Sequence, residues 1–300
     1  MPEKFDMILS PDNPSYNNLP GIWILIGGGV WIGHFAYWGF NQYITQRALG
    51  AKSIKEAQKG VMFAAYLKLL MPLVIVLPGI CAAILFPVLE KSDQAYPTMM
   101  SLLPNGLLGL TFAALIAAIV SSLASMTNSI STIFTMDVYR SFSKNIVSEA
   151  KLISIGRNAV VISLLVAVLI AKPLLGNFDS IFQYIQNFTG LFTPGILVIF
   201  LVALFWKKAT TLSVMVAAIL SLVLSIFISA LLPELSYIHR MGIVFFMSGF
   251  GCYLTALIQG YTDQEKAIDI NGINFSTSKS FNINSLIIVS ILVLIYGVFW

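Results

Sequence analysis

Long apolar stretches alternate with short polar ones along almost the whole chain. The hydrocarbon core of a bilayer is about 30 Å thick, and a helix needs about 20 apolar residues to cross it. The stretches are continuous rather than alternating in polarity, which favours helices over the strands of a barrel. We therefore predict an all-α polytopic membrane protein with about eight transmembrane helices. The predicted spans are 20–43, 61–89, 105–135, 155–175, 180–206, 210–232, 240–259 and 283–300.

Composition excludes an ordinary soluble domain. The 300 residues are 58% hydrophobic and only 10% charged, whereas soluble domains carry about 25% charged residues. The net charge of +4 does not indicate nucleic-acid binding, because the basic residues lie in short loops between apolar stretches. Cys81 and Cys252 lie inside apolar stretches, so we predict packing roles and no disulfide or metal framework.

Loop charge predicts the orientation in the membrane. The loops after the first, third and fifth spans are basic, and the positive-inside rule puts them in the cytoplasm. Segment 1–19, which is polar and lacks a signal peptide's apolar region, then lies outside with Trp300. The loop 260–282 has mixed charge, and parity puts it inside. The abrupt start is typical of an internal piece of a larger protein. The basic residues are Arg47, Lys52, Lys55 and Lys59, then Arg140, Lys144, Lys151 and Arg157, then Lys207 and Lys208.

The first span has an unusual glycine content and several polar side chains. Gly29 and Gly33 form a G-x-x-x-G pair, which is typical of close helix packing. The same span carries His34, Asn41 and Gln42, which favours a broken helix that forms a binding site. Both interpretations stay open on the residues alone.

A lysine lies inside the second span. Lys68 at membrane depth costs about 2.5–3.5 kcal/mol on insertion scales and so marks a functional position by default. The alternative is that its long side chain reaches back to the nearby basic loop. Pro72 lies four residues on and leaves the carbonyl of Lys68 without its helical donor, so we favour the functional interpretation.

Hydroxyl groups are concentrated in the third span. Ser121 and Ser122 lie near its middle, and the carbonyl of Ala118 lies on the same helical face as the Ser121 hydroxyl. Serines in spans usually bond back to their own helix. A dense row of oxygens also suits a hard monovalent cation, at a site built partly from backbone.

A polar stripe runs along the fifth span. Gln183, Gln186, Asn187 and Gly190 recur at helical spacing, and Pro194 frees the carbonyl of Gly190. Such a stripe faces the interior of the bundle rather than lipid. Uncharged amides beside aromatic residues suit a neutral polyhydroxylated solute better than an ion.

Four motifs lie in order along the chain: AYWGFNQYITQRALGAKSIKEAQKG at 36–60, FAAYLKLLMP at 63–72, AAIVSSLASM-NS-STIFTMD at 117–137 and FQYIQNFTG–FTPG at 182–195. Together they resemble the sodium/solute symporter family, most closely its sodium/sugar (glucose/galactose) branch. The resemblance runs from about residue 8 to at least 210. It implies a fourteen-span protein with a LeuT-type core of two inverted five-helix repeats. This chain then resembles the C-terminal part: 20–206 is the second repeat, 207–300 forms three peripheral helices, and the first repeat is absent.

The resemblance implies roles for five residues at a sugar site. Tyr37 matches the aromatic inner gate, with Trp38 beside it. Lys68 matches a lysine that hydrogen-bonds sugar hydroxyls, and Gln186 matches a sugar-binding glutamine. His34 departs from the asparagine of the galactose symporters, which puts the identity of the sugar in doubt.

The resemblance also implies half of a sodium site. The carbonyl of Ala118 and the hydroxyls of Ser121 and Ser122 match ligands of the sodium ion. The remaining sodium and sugar ligands belong to the absent N-terminal half, so we expect that these 300 residues do not transport by themselves.

The function implied is sodium-coupled symport of a sugar into the cell, across the plasma or inner membrane, with no enzymatic activity. The implied partners are the sugar, sodium, the lipid bilayer and the N-terminal half of the transporter. Two alternatives stay open. In the first, the solute is inositol, a nucleoside, an amino acid or a carboxylate. In the second, the chain is a non-transporting membrane sensor of the same fold.

Overall fold

The computed structural model describes residues 2–13, 15–16, 21–26, 28–143, 147–175 and 180–300. All regular elements in these ranges are helical. Lys144, named above in the third loop, lies outside the described residues, and so does Gly27 in the first predicted span.

The helices follow one another with short connections. Short 3₁₀ turns form at Pro2–Phe5 and Ser92–Gln94, and π-helical segments form at Ala36–Phe40, Pro72–Val76 and Ile133–Tyr139. The α-helices are α1 (Trp23–Ile26), α2 (Gly29–Phe35), α3 (Gln42–Leu49), α4 (Ile54–Leu69), α5 (Leu77–Leu85), α6 (Ala95–Ser101), α7 (Asn105–Thr132), α8 (Arg140–Phe142), α9 (Glu149–Leu175), α10 (Ile181–Thr189), α11 (Thr193–Phe205), α12 (Thr211–Leu231), α13 (Tyr237–Ile258) and α14 (Lys279–Val298).

Six helical stretches in the described residues are long and apolar enough to cross a membrane, and a bent pair makes up to seven. The pair is α10 and α11, which meet at an angle of 42°. The prediction of an all-α polytopic membrane protein is confirmed. The predicted span 20–43 is the exception, because short helices replace one long helix there. The six stretches are Ile54–Leu85, Asn105–Phe142, Glu149–Ala171, Thr211–Leu231, Tyr237–Ile258 and Lys279–Val298.

The first predicted span is interrupted and also closely packed. Gly28 has φ +86° at the start of α2, a left-handed conformation that side chains with a Cβ rarely adopt. A Cβ on Gly29 would lie 2.0 Å from the carbonyl oxygen of Ile238, so only glycine lets α2 approach α13 this closely. Gly28 therefore supports an interrupted helix, and its neighbour Gly29 supports close helix packing.

The chain divides into two compact groups of helices. One comprises Met1–Lys68 with Gln183–Trp300, and the other comprises Leu69–Phe182. The division of the sequence into a repeat at 20–206 and peripheral helices at 207–300 stays a prediction.

The core of the first group lies where α2 and its π-helical continuation meet α11 and α13. Its buried residues are Ile32, Ala36, Leu197 and Met241. Cys252 is buried in a neighbouring cluster and its thiol is free, in agreement with a packing role. This core fixes α2 and its π-helical continuation, whose exposed side carries the predicted site residues His34, Tyr37 and Trp38.

Contacts between loops bear on the predicted topology. In the first group the backbone N–H of Met7 donates to the carbonyl of Phe299 over 2.7 Å. The two ends of the chain, both predicted to lie outside the cell, are therefore next to each other. Lys207 and Asp269 form an ion pair of 3.1 Å, which joins two loops predicted to lie inside. The side assigned to each loop stays a prediction, but the pairing agrees with the parity argument.

Candidate functional site

A cavity of about 490 Å³ opens along α2 and its π-helical continuation. His34 and Trp38, two of the predicted sugar-site residues, both line it. Two further aromatic rings, Trp31 and Phe35, belong to the wall, so an apolar face of a ligand would find flat partners there. The lining residues are Leu25, Val30, Trp31, His34, Phe35, Trp38 and Gly39.

Lys68 reaches this cavity wall from α4. Its Nζ lies 4.4 Å from the centroid of the Trp38 ring, which is a cation–π contact. In the ranges that the structure describes, no carboxylate lies within ion-pair distance of Lys68. The ammonium group therefore keeps its three hydrogen-bond donors for a ligand or water.

Tyr37 stands beside the cavity rather than in its wall. Its ring meets Trp38 edge to face at 5.3 Å, and its hydroxyl forms a hydrogen bond with the hydroxyl of Tyr43. Tyr37 and Trp38 are both about two-fifths exposed. The structure thus brings four predicted residues, His34, Tyr37, Trp38 and Lys68, into one cluster.

Gln186 occupies a different position. It is half-buried on α10, and its side chain lies within hydrogen-bonding reach of the Tyr237 hydroxyl on α13. Its neighbours in the predicted polar stripe bond to their own helix: the amide of Asn187 donates to the carbonyl of Gln183 over 3.1 Å. Within the polar stripe, Gln186 therefore contacts another helix, whereas Asn187 bonds along α10.

The predicted sodium ligands Ala118, Ser121 and Ser122 lie on α7, in the other compact group, and all three are exposed. The carbonyl of Ser121 accepts a hydrogen bond from the Ser125 hydroxyl over 3.1 Å. A shared helix presents the carbonyl of Ala118 and the hydroxyl of Ser121 along one face.

Sequence reasoning missed three residues that belong to this description. Trp31 and Phe35 line the cavity, and their spacing with Trp38 places all three rings on one helical face, a pattern that was available in the sequence. Tyr237, the partner of Gln186, had no comparable signal, since a tyrosine at the end of a span is ordinary in a membrane protein.

Comparison with known proteins identifies the family. The model of the sodium:solute symporter family matches residues 2–220. A sodium/glucose cotransporter of Vibrio parahaemolyticus is 43% identical, over the whole of this chain and 58% of that protein.

Two further relatives match about seven-tenths of the chain. A sodium/myo-inositol cotransporter 2 of Bos taurus is 36% identical over 71% of this chain and 34% of its own length. An uncharacterized symporter YidK of Escherichia coli is 33% identical over 72% of this chain and 37% of its own length. These relatives are named as cotransporters or symporters, not as enzymes. The chain thus spans less than two thirds of each relative, and it belongs to the sodium:solute symporter family.

Proposed function

We propose that this chain is part of a symporter that couples the entry of sodium to the uptake of a glucose- or galactose-like sugar by alternating access. One observation carries the proposal: Lys68 holds an ammonium group over Trp38, on the wall of a cavity that His34 also lines. An indole face suits the apolar face of a sugar ring, and the ammonium and imidazole groups suit its hydroxyls.

The solute preference follows from the uncharged groups that surround Lys68 in this cluster. A carboxylate solute needs a cationic partner in a desolvated site, which Lys68 alone would supply. The indole, phenol and imidazole groups around it instead favour a neutral solute with many hydroxyls. The Vibrio relative is named as a sodium/glucose cotransporter, which supports the same choice.

Sodium would bind the carbonyl of Ala118 and the hydroxyls of Ser121 and Ser122, with further ligands supplied from outside these residues. Coupling requires that sodium and sugar each bind one conformation better than the other, and this effect is reciprocal. Entry of one sodium down the potential of the cell membrane supplies about 2.3 kcal/mol per 100 mV. The proposed location is therefore the plasma or inner membrane, where such a potential exists.

Uptake by the full-length gene product in proteoliposomes tests the proposal. We expect an imposed sodium gradient to drive accumulation of labelled glucose or galactose, and Ser122→Ala to abolish the sodium dependence. Ser163→Ala is the matched control, because the Ser163 hydroxyl donates to the carbonyl of Val160 over 2.8 Å and lies outside the predicted set. Sugar accumulation that is unaffected by removal of sodium, or by Ser122→Ala, would overturn the proposal.

A cyclic polyol is the second candidate solute, favoured by the relative named as a myo-inositol cotransporter. Inositol presents hydroxyls on a carbon ring, as a sugar does, and so suits the same groups. Competition of unlabelled myo-inositol, nucleosides, amino acids and carboxylates against labelled galactose separates these solutes. Stronger competition by myo-inositol than by glucose would assign the transporter to the polyol.

A further inference from the structure

A second and larger cavity lies in the group Leu69–Phe182, between α9 and the helix formed by α7 with its π-helical continuation. Its volume is about 860 Å³. Polar side chains line much of it, in contrast to the aromatic cavity of the other group. They are Thr127, Asn128, Ser131, Thr132, Thr135 and Arg157.

One hydroxyl in this cavity lacks a protein partner. Thr135 is only 6% exposed, and its Oγ1 is buried without a hydrogen bond in the described part of the chain. An unsatisfied buried polar group costs about 1–3 kcal/mol. Because the group is neither solvated nor paired, it indicates a ligand that completes the site.

Glycine brings α9 close to these hydroxyls. A Cβ on Gly156 would lie 2.4 Å from the Ser131 Oγ and 3.2 Å from the Thr135 Oγ1. No larger residue fits at this approach without a shift of the hydroxyls. Arg157 follows Gly156 directly, so the close approach places a guanidinium group beside the hydroxyl row.

The cavity offers both donors and acceptors. The Thr127 hydroxyl donates to the carbonyl of Leu123 over 2.9 Å, and the Thr132 hydroxyl donates to that of Asn128 over 2.9 Å. These two oxygens are left as acceptors, while the hydroxyl of Thr135 and the guanidinium of Arg157 are donors. This combination matches an anion that also carries hydroxyl groups.

The length of the helix locates the cavity near a membrane surface. The stretch Asn105–Phe142 has 38 residues, which makes it about 57 Å long at 1.5 Å per residue, nearly twice the thickness of the hydrocarbon core. The predicted span 105–135 ends at Thr135, and the next predicted span begins at 155, beside Arg157, so this end of the cavity lies at the membrane surface. Ala124 and Val160 close the other end of the cavity with apolar surface.

We propose that this cavity binds the headgroup of an anionic phospholipid with free hydroxyls, with phosphatidylglycerol as the defining example, in the inner leaflet. The guanidinium of Arg157 suits the phosphate, Thr132 and Thr135 beside it suit the glycerol hydroxyls, and Thr127 lies with the apolar end, on the side where the acyl chains begin. The basic loops predict that this end faces the cytoplasm, where basic pockets between helices recognise such headgroups. The proposal goes beyond sodium-coupled uptake and does not depend on it.

Native mass spectrometry of the full-length protein tests the proposal by direct binding. Phosphatidylglycerol is titrated against the native protein, Arg157→Gln and Arg140→Gln. Arg140 is the matched control, because it is exposed at the same end of the helix but does not line the cavity. We expect binding about tenfold weaker in Arg157→Gln, since a hydrogen bond to a charged group contributes about 1.5–3 kcal/mol, and a change below about twofold in Arg140→Gln.

The variant Thr135→Val separates a binding role from a structural one. We expect it to weaken phosphatidylglycerol binding severalfold and to raise the melting temperature of the lipid-free protein, because it removes an unpaired buried hydroxyl. A raised melting temperature with unchanged lipid binding would overturn the proposal. Equal losses in Arg157→Gln and Arg140→Gln, equal affinity for phosphatidylcholine, or displacement of the lipid by millimolar inorganic phosphate would overturn it as well.

Discussion

At the scale of single residues, the contact between Lys68 and Trp38 turns a costly residue into part of a site. A lysine at membrane depth needs a partner or a route to water, and the indole ring supplies attraction without removing the hydrogen-bond donors. The second possibility raised by the sequence, a side chain that reaches back to the basic loop, does not describe this contact, because Trp38 lies on the cavity wall.

Replacing Lys68 by methionine tests the role of the ammonium group. Methionine keeps much of the volume and removes the charge and the donors, so we expect the KM for sugar to rise about tenfold or more. Lys59→Met is the control on the same helix, since Lys59 is exposed and pairs with Glu56 over 2.7 Å. Sodium-driven uptake by the full-length protein gives both KM values, and equal KM values in the two variants would contradict the assigned role.

Asp269 gives a pH-dependent prediction outside the spans. The hydrogen bond from Lys207, aided by the backbone N–H of Asn271, holds the pKa of this carboxyl below its ordinary value of 3.8. Because the pKa is lowered, the contact fully stabilises the loop when the pH is above the ordinary pKa. This stabilisation is lost as the pH falls through the lowered pKa.

Hydrogen exchange measures this effect when Asp269→Asn is compared with the native protein at each pH. We expect faster exchange of residues 261–270 in the variant at pH 6, because the charge on Asp269 is lost. The difference should disappear below the lowered pKa, where the native carboxyl is also neutral. A difference that persists in acid would contradict the ion-pair explanation.

At the scale of elements, the helices that carry the candidate sugar-site residues are interrupted near them, whereas Ala118, Ser121 and Ser122 lie on the continuous helix α7. The prolines made two of these interruptions predictable: a π-helical segment begins at Pro72, and the bend between α10 and α11 precedes Pro194. The π-helical segments Ala36–Phe40 and Ile133–Tyr139 contain no proline. Their positions depend on packing between helices, so no local sequence signal indicated them.

The close approach of α2 and α13 predicts a large difference between two glycines on one helix. Gly29→Ala should destabilise the full-length protein by about 1–3 kcal/mol, because its Cβ overlaps the backbone of Ile238 and the helices must separate. Gly33→Ala is the control, since its Cβ would lie 3.6 Å from Met241 Cε, an ordinary contact. Thermal unfolding in detergent measures the effect, and similar unfolding of the two variants would argue against tight packing at Gly29.

At the scale of the whole molecule, apolar surface dominates the outside of the described helices. The most apolar parts of Asn105–Phe142 and Lys279–Val298 have none of their residues buried, which a membrane protein tolerates because lipid covers such faces. The chain covers 58% of the Vibrio relative. Sugar and sodium transport are accordingly proposals for the full-length protein.

Single-cysteine labelling tests the predicted topology. Asp12→Cys should react with a membrane-impermeant maleimide on intact cells, because segment 1–19 is predicted outside. Glu265→Cys should react only when the cytoplasmic face is exposed, because its loop contacts the basic loop at Lys207. The native thiols contribute little, since Cys252 is buried and Cys81 is partly buried. Labelling of both positions from the same side would contradict the parity argument.

The amino-acid sequence by itself determined the membrane class, the helical fold, most of the spans and the family. Those properties depend on local composition, helical periodicity and motif order, which need no knowledge of distant contacts. Tertiary structure alone decided that Lys68 lies over Trp38, that Gln186 faces Tyr237, and that a polar cavity forms beside Arg157. These are contacts between residues on different helices, and their formation depends on how closely the backbones approach, as at Gly29 and Gly156.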